Sequence, residues 1–356
     1  MSETAIVLVN YNAPDDTIEC VASLLNLRNQ DFKIIIVDND STKENRNRLI
    51  NWLEGKFSAT FSTPEKINSL TLGQEKFSGE FFLLNHNIEN GFEMPVDEQT
   101  FVNKKIILVH NNANSGFAAA NNIGMKISLA LNCKYSWLLN NDAVADTEAL
   151  NGLISYHKQI SGEKKIGLIG CKVLFYSQPE IIQAVGDRFN VYTTWSYHLG
   201  LNEIDNGQYD NGNFQFDYPY GASLLFSNDF VRDCGMMNEQ YFLYFEEADW
   251  TLRGRKNNYE PAACMTAKIF HKQGVTTGKK IRKEKPAWIA SLMYGNLLLF
   301  YKNYYPQLVW IAWLRLFLKA VKNIFTGNIL EAFLILKIIF GIHRPNRKAI
   351  RVSEKT

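Results

Sequence analysis

The sequence predicts an α/β fold built on a mostly parallel sheet with helices on both faces, followed by a helical appendage. Three observations predict it. Short aliphatic runs (Ala5–Val9, Ile34–Asp38, Ile106–Val109, Tyr135–Leu139) alternate with helical stretches. The runs are continuously apolar, as strands covered on both faces are, rather than alternating as half-exposed strands do. After Lys285 the rhythm ends, and apolar helices punctuated by Lys and Arg take over.

Taken in order, Ala5–Val9 leads to a helix opening at Pro14-Asp15-Asp16. There Pro suits the first helical turn and the carboxylates suit the positive end of the helix dipole. Ile34–Asp38 precedes a polar helix from Thr42. Residues 54–105 are rich in Ser, Thr, Gly and Glu, too long for an ordinary connection, and read as an insertion. Within it Phe81–Phe92 echoes Ile106–Phe117, each a strand ending in Gly-Phe, with four identities in twelve positions, a number chance also produces. Ile106–Val109 precedes a helix through Ala118–Leu131, and Tyr135–Leu139 precedes one starting at Thr147. Trp288–Tyr305, Leu308–Phe325 and Ile329–Ile342 read as the C-terminal helices.

In those helices Arg315, Lys319, Lys322, Glu331 and Lys337 recur too often for a bilayer-crossing segment of about 20 apolar residues. They are expected either to pack on the first domain or to lie in a membrane interface, with basic residues toward anionic headgroups. The chain thus divides into residues 1–285 and residues 286–356. Charge divides it similarly: from Lys268 onward there are 17 Lys/Arg against 3 acids, a net of +14, and before it 21 against 33, a net of −12.

A content of 46% hydrophobic and 21% charged residues over 356 positions is that of a folded globular chain with one large domain and an appendage. Five scattered cysteines (Cys20, Cys133, Cys171, Cys234, Cys264), odd in number and without C-x-x-C spacing, argue against a disulfide framework or structural zinc. Thr4–Tyr11 is too short for a signal peptide and lacks a basic flank and a cleavage site. A cytoplasmic protein is expected, peripheral on the inner membrane if the C-terminal helices lie on it.

Four polar clusters stand where strands should end: Asn10-Tyr11-Asn12, Asp38-Asn39-Asp40-Ser41, Asn111 to Gly116, and Asn140-Asn141-Asp142. Each alone also reads as a turn or helix cap. All four at one edge of one sheet mark a ligand crevice at the carboxyl ends of the strands. No G-x-G-x-x-G follows the first strand, which disfavours a dinucleotide-binding dehydrogenase, and no Gly-Lys-Ser/Thr loop occurs, which excludes a P-loop enzyme. A sugar-1-phosphate nucleotidyltransferase would want a Gly-rich, basic loop where Asn10 to Pro14 stands.

Val9 to Asn12, Val37 to Ser41, Asn114 to Asn122, Leu138 to Asp142, Tyr220-Gly221-Ala222 and Tyr241 to Asp249 occur in the order that resembles the family-2 inverting glycosyltransferases of GT-A fold. The nearest likeness is to rhamnosyltransferase-like and galactofuranosyltransferase-like members that build bacterial surface polysaccharides. It spans about residues 4 to 300 outside the insertion. The resemblance implies transfer of a sugar, with inversion, from a pyrimidine nucleotide diphosphate donor (UDP or dTDP) to a hydroxyl of a glycan or polyprenyl-diphosphate-linked acceptor. Nucleic acid is not an expected partner.

By the same resemblance Asp38 hydrogen-bonds the base, Asn10 and Asn12 line the nucleotide pocket, and Asn114, Gly116 and Asn121 lie beside the donor, with the Gly116 region offering amides to phosphate. Asn140-Asn141-Asp142 matches the Asp-x-Asp triplet, Asp142 being the ligand of Mn2+ or Mg2+, which neutralises the diphosphate leaving group. Asn140 departs from the stricter motif and leaves the site one carboxylate poorer. His271 matches a histidine that reaches the metal or diphosphate; a structural histidine is its other reading. The basic run 279–285 could close over the diphosphate or be a solvated loop.

Glu246-Glu247-Ala248-Asp249 matches the acidic motif whose second acid is the general base. That position is Glu247, a Glu where Asp is usual, with Glu246 in reserve. Asp249 would orient Arg253 or bind acceptor, and Tyr220 and Trp195 would face the acceptor. The competing reading is a non-catalytic nucleotide-sugar-binding subunit of a membrane polysaccharide synthase, for which Asn140 and Glu247 would be marks of degeneration.

Overall fold

The computed structural model describes residues 2–94, 101, 104–162, 164–212, 214–272 and 286–343. The basic run 279–285 and the stretch 344–356 lie outside these residues. The first strands are β1 (Thr4–Asn10), β2 (Phe32–Asn39), β3 (Phe81–Asn87), β4 (Gly91–Phe92), β5 (Ile106–Asn111), β6 (Tyr135–Asn140) and β7 (Ala143–Ala145). Later come β8 (Lys165–Phe175), β9 (Gln178–Ala184), β10 (Asp187–Asn190), β11 (Trp195–His198), β12 (Ser223–Ser227) and β13 (Tyr259–His271). All but β10 and β11 join one sheet in the order β4-β3-β5-β2-β1-β6-β12-β8-β13-β7, with β9 beside β8.

Strands β3, β5, β2, β1 and β6 run parallel. Helices α1 (Pro14–Leu25), α2 (Lys43–Leu53), α3 (Gly116–Ala130) and α4 (Ala149–Ile160) connect them or follow them. Side-chain alternation supplies a core on each face. Ile6, Leu8, Ile34, Ile36, Ile106 and Leu108 pack with Val21 and Leu24 of α1, Trp52 of α2 and Leu153 of α4. Their neighbours Ala5, Val7, Ile35, Val37, Ile107 and Val109 pack with Ile123 and Ile127 of α3, Phe230 of α5 (Asn228–Cys234) and Trp250 of α6 (Glu246–Lys256). This two-sided burial is why the strands read as unbroken apolar runs. Local signals agree: Pro14 opens α1 with Asp15 and Asp16 in its first turn, and the Thr42 hydroxyl caps α2 by accepting from Asn45 N.

The segment 54–105 differs from an insertion lying outside the fold. Its β3 extends the sheet, pairing in parallel with β5 from Phe81↔Ile106 to His86↔Asn111, and β4 folds back on β3. Strand β3 lies near the sheet edge with half-exposed residues such as Leu83, so it lacks the buried pattern of the central strands. The echoing stretches lie side by side, each position of 81–86 opposite its counterpart in 106–111. Past the strands they diverge, one into a hairpin and the other into α3.

The C-terminal helices are α7 (Ala287–Tyr304), α8 (Val309–Phe325) and α9 (Ile329–Ile339). Phe300 and Tyr301 of α7 pack with Tyr241 and Ala248, while Ala312, Leu316 and Ala320 of α8 meet Ala332 and Ile335 of α9. Asn296 Nδ2 donates to the carbonyls of Leu243 (2.9 Å) and Tyr244 (3.0 Å), and Tyr304 donates to Asp249 Oδ1 (2.6 Å). No helix among the described residues is long and apolar enough to cross a membrane.

Candidate active site

Strand register brings the polar clusters to one edge: Asn10 pairs with Asp38, Asp38 with His110, and Val9 with Asn140. Asn10 Nδ2 donates to Asp38 Oδ1 (2.8 Å) and Ser41 Oγ (3.2 Å), and its carbonyl accepts from Thr17 Oγ1 (2.9 Å). The second carboxylate oxygen of Asp38, Oδ2, is buried without a hydrogen-bond partner, with His110 Nδ1 at 3.6 Å. An acceptor held dry and unpaired is costly unless a ligand donor meets it. His110 is itself met by Arg46 Nη1 at 2.8 Å from Nε2. Asn12, in the left-handed region at φ 54°, accepts from Thr42 N (2.8 Å) and Asn45 Nδ2 (3.1 Å), so its side chain shapes the turn framing this pocket.

Asn39, unremarked in the motifs, organises the next loop. Its amide donates to Asn114 Oδ1 (3.0 Å), and its carbonyl accepts from Asn111 Nδ2 (3.0 Å) and Ser115 N (3.1 Å). Gly116 corrects an expectation. Its amide is taken by Asn114 Oδ1 (3.1 Å) and the next amide, Phe117 N, by Phe242 O (2.7 Å), which leaves neither free for phosphate. At φ +83° a Cβ on Gly116 would lie 2.5 Å from Phe242 O, so this glycine serves the contact with the 240s segment. Asn121 is buried and donates to Phe117 O one turn back in its own helix (3.0 Å), which removes it from the donor-facing set.

Strand β13 pairs antiparallel with β7, setting His271 opposite Ala143 and next to Asp142. His271 Nε2 lies 3.0 Å from Asp142 Oδ1 and 3.2 Å from Asn140 Nδ2, and Nδ1 lies 3.0 Å from Gln183 Oε1. Asn141 points the other way, donating to Thr17 Oγ1 (2.9 Å). Burial would lift the Asp142 carboxyl, but the imidazole of His271 outweighs it and holds the group below its ordinary range. No group of three His, Cys, Asp or Glu able to hold a metal occurs among the described residues. The pair still fits a cation completed by other donors: two ligand atoms each about 2.1 Å from one ion at a right angle lie about 3.0 Å apart.

Tyr220 lies beyond that pair, its ring edge-on to His271 (centroids 6.1 Å) and to His198 (4.9 Å). Next to it, Gly221 meets α6, which begins with Glu246 and Glu247. The residues before it, Tyr244 and Phe245, have φ of 75° and 76°, a strained pair for bulky side chains and one that Asn296 braces. Glu247 rests against Gly221, where a Cβ would come 3.2 Å from Oε1, and its Oε2 is buried without a hydrogen-bond partner. Burial first, and then the charge of Asp187, push its carboxyl up to about 7, against the pull of backbone amides and His198. Burial and the Glu247 charge push Glu246 well above its ordinary value, and its Oε2 also lacks a partner.

Of the two roles expected of Asp249, the contacts match the pairing with Arg253. Asp249 is fully buried, Oδ2 taken by Arg253 Nε (2.8 Å) and Oδ1 by Tyr304 (2.6 Å), as a structural tie between α6 and α7. Trp195 is exposed on the β10–β11 hairpin, with Arg315 of α8 4.9 Å over its ring. Asp187, absent from the motif reading, is buried and lies 2.5 Å from His198 Nδ1. Its position at the foot of a hairpin whose other foot is His198 is the one sequence signal that could have found it.

A mostly parallel α/β sheet with an unpaired acidic acceptor and an Asp–His pair at strand ends, and a raised carboxylate at a nearby helix start, marks a candidate ligand site. Residues 5–84 match the family described as Glycosyl transferase family 2. Over 168 residues, 47% of this chain and 52% of the other, it is 23% identical to the low-salt glycan biosynthesis hexosyltransferase Agl10 of Haloferax volcanii. The chain spans about half the length of that curated relative. Among solved structures, S. aureus TarS (residues 1–349 of that protein) is 11% identical with a TM-score of 0.45, over 83% of this chain and 65% of that one. The mannosyltransferase PcManGT from Pyrobaculum calidifontis, in complex with GDP-Man and Mn2+, is 11% identical with a TM-score of 0.47, over 96% and 88%.

Proposed function

We propose that this chain is a metal-dependent, inverting glycosyltransferase that moves a sugar from a pyrimidine nucleotide diphosphate to a hydroxyl of a glycan or lipid-linked glycan. The observation that carries the reading is that the Asp142–His271 pair lies beside the Tyr220 ring while the Glu247 carboxylate rests against the next residue, Gly221. The unpaired Asp38 Oδ2 suits the ring N–H of uracil or thymine. Asp142, His271 and Asn140, its amide turned oxygen-first, would hold Mn2+ or Mg2+, which when bound neutralises charge gathering on the diphosphate. Glu247, ionised above pH of about 7, takes the proton from the acceptor hydroxyl as that oxygen forms its bond to the anomeric carbon. Inversion follows from one displacement with one base.

In the test, Glu247→Gln abolishes transfer and keeps donor binding, measured by thermal shift with nucleotide sugars and Mn2+; near-wild-type turnover would sink the assignment and pass the role to Glu246. Donor hydrolysis or transfer by the isolated protein would exclude the non-catalytic subunit.

The division at residue 286 is part of this proposal, as is a peripheral site on the cytoplasmic membrane face. Trp310, Leu314, Leu318 and Phe325 of α8 and Leu330 and Phe333 of α9 are exposed, with Lys319, Lys322 and Lys337 among them. Apolar side chains interspersed with lysines suit an anionic lipid interface.

A further inference from the structure

We propose that Gln183 is a positioning residue that accepts from His271 Nδ1–H and so leaves Nε2 as the ring atom presented to Asp142 and to a cation there. The inference rests on the reading of Asp142 and His271 as donors to a divalent cation. It begins with a defect in the sheet. Along β8 and β9, Val173 pairs with Ala184 and the next residue, Leu174, pairs with Ile182, so Gln183 is the extra residue of a β-bulge. A bulge breaks the alternation of side chains and re-aims one of them. Here it turns a fully buried amide toward the imidazole, with Oε1 3.0 Å from Nδ1.

Packing alone does not account for this side chain. Gln183 Nε2 is buried without a hydrogen-bond partner, a cost an aliphatic residue of similar size would avoid. What the amide contributes is an acceptor for Nδ1–H. With Nδ1–H engaged, Nε2 is the nitrogen left to face Asp142, 3.0 Å from its Oδ1 and 3.2 Å from the Asn140 amide; it is the atom whose lone pair a cation would take once its proton leaves. Partners that fix a ligand histidine in this way commonly change metal affinity by about 10- to 100-fold when removed. The opposite orientation of the amide would have its NH2 donate to Nδ1, put the proton on Nε2 and point it at Asp142; experiment separates the two.

The test uses the full chain. In 15N–1H correlation spectra of the metal-free protein, with His271 assigned by its loss in His271→Asn, wild type is expected to show Nδ1 protonated. Gln183→Glu, which keeps the acceptor, should show the same pattern, and Gln183→Leu a mixture. Mn2+ titration followed by EPR in the presence of UDP should give equal affinity for wild type and Gln183→Glu, and about 10- to 100-fold weaker affinity for Gln183→Leu. An unprotonated Nδ1 in wild type, no Mn2+ binding by wild type, or unchanged affinity in Gln183→Leu would overturn the proposal. If transfer requires metal but Gln183→Leu binds Mn2+ as wild type does, this inference falls and the transferase reading stands. If both readouts behave as expected and no sugar is transferred, the reverse holds.

Discussion

In the proposed reaction Glu247 serves as base because the surroundings make its ionisation unfavourable. Its folded-state pKa, about 7, lies above the ordinary 4.5, with two consequences of opposite sign. Transfer needs the ionised form, so turnover should fall as pH drops below about 7, with a limb that Glu247→Gln removes along with about 10²- to 10⁴-fold of the rate. Stability runs the other way: the raised pKa costs nothing while the carboxyl is protonated in both states, and the full penalty is present once pH exceeds the folded value. Glu247→Gln should therefore gain melting temperature over wild type increasingly from pH 5 to pH 8. At Gly116, φ +83° and the contact with Phe242 predict that Gly116→Ala loses more than about 1 kcal/mol in urea denaturation. Asp38, Asp142, Glu247 and His271 were singled out because the motifs they stand in resemble those of a known family. The roles of Gln183 and Asn39 could not be read: a bulge and a side-chain network depend on register, which residue type does not encode.

At the scale of elements, the central strands and their helices were legible because burial on both faces writes an unbroken apolar run. Strand β3 was taken for part of an insertion because near the sheet edge that run is diluted by exposed positions. For Asp249 the Arg253 partner was legible one turn along the same helix, whereas Tyr304 was not, being 55 residues away on a helix whose packing partner the sequence did not reveal. The tie between α7 and the turn at Tyr244 and Phe245 makes a prediction of its own. Two successive left-handed aromatics are held by Asn296 on the carbonyls before them, and that turn aims Glu247. Asn296→Ala should lower kcat by tenfold or more while leaving nucleotide-sugar affinity unchanged; a change confined to melting temperature would reduce Asn296 to a packing role.

For the whole molecule, the charge division acquires a structural meaning. The acidic first part carries the sheet and its crevice, and the basic last part carries α8 and α9 with their exposed Trp310, Phe325 and Leu330. The protein should sediment with anionic liposomes at low salt, and Lys319→Glu with Lys322→Glu should weaken that binding without changing transfer to a soluble acceptor. Failure to sediment would assign the face to a protein contact instead. The central claim, that one sheet edge joins a nucleotide-sugar site to a single carboxylate base, is tested most directly by one comparison. With Mn2+ and the nucleotide sugar that gives the largest thermal shift, sugar transfer by Glu247→Gln is measured against wild type. The account predicts loss of at least a hundredfold with the donor-induced shift intact, and turnover near wild type would contradict it.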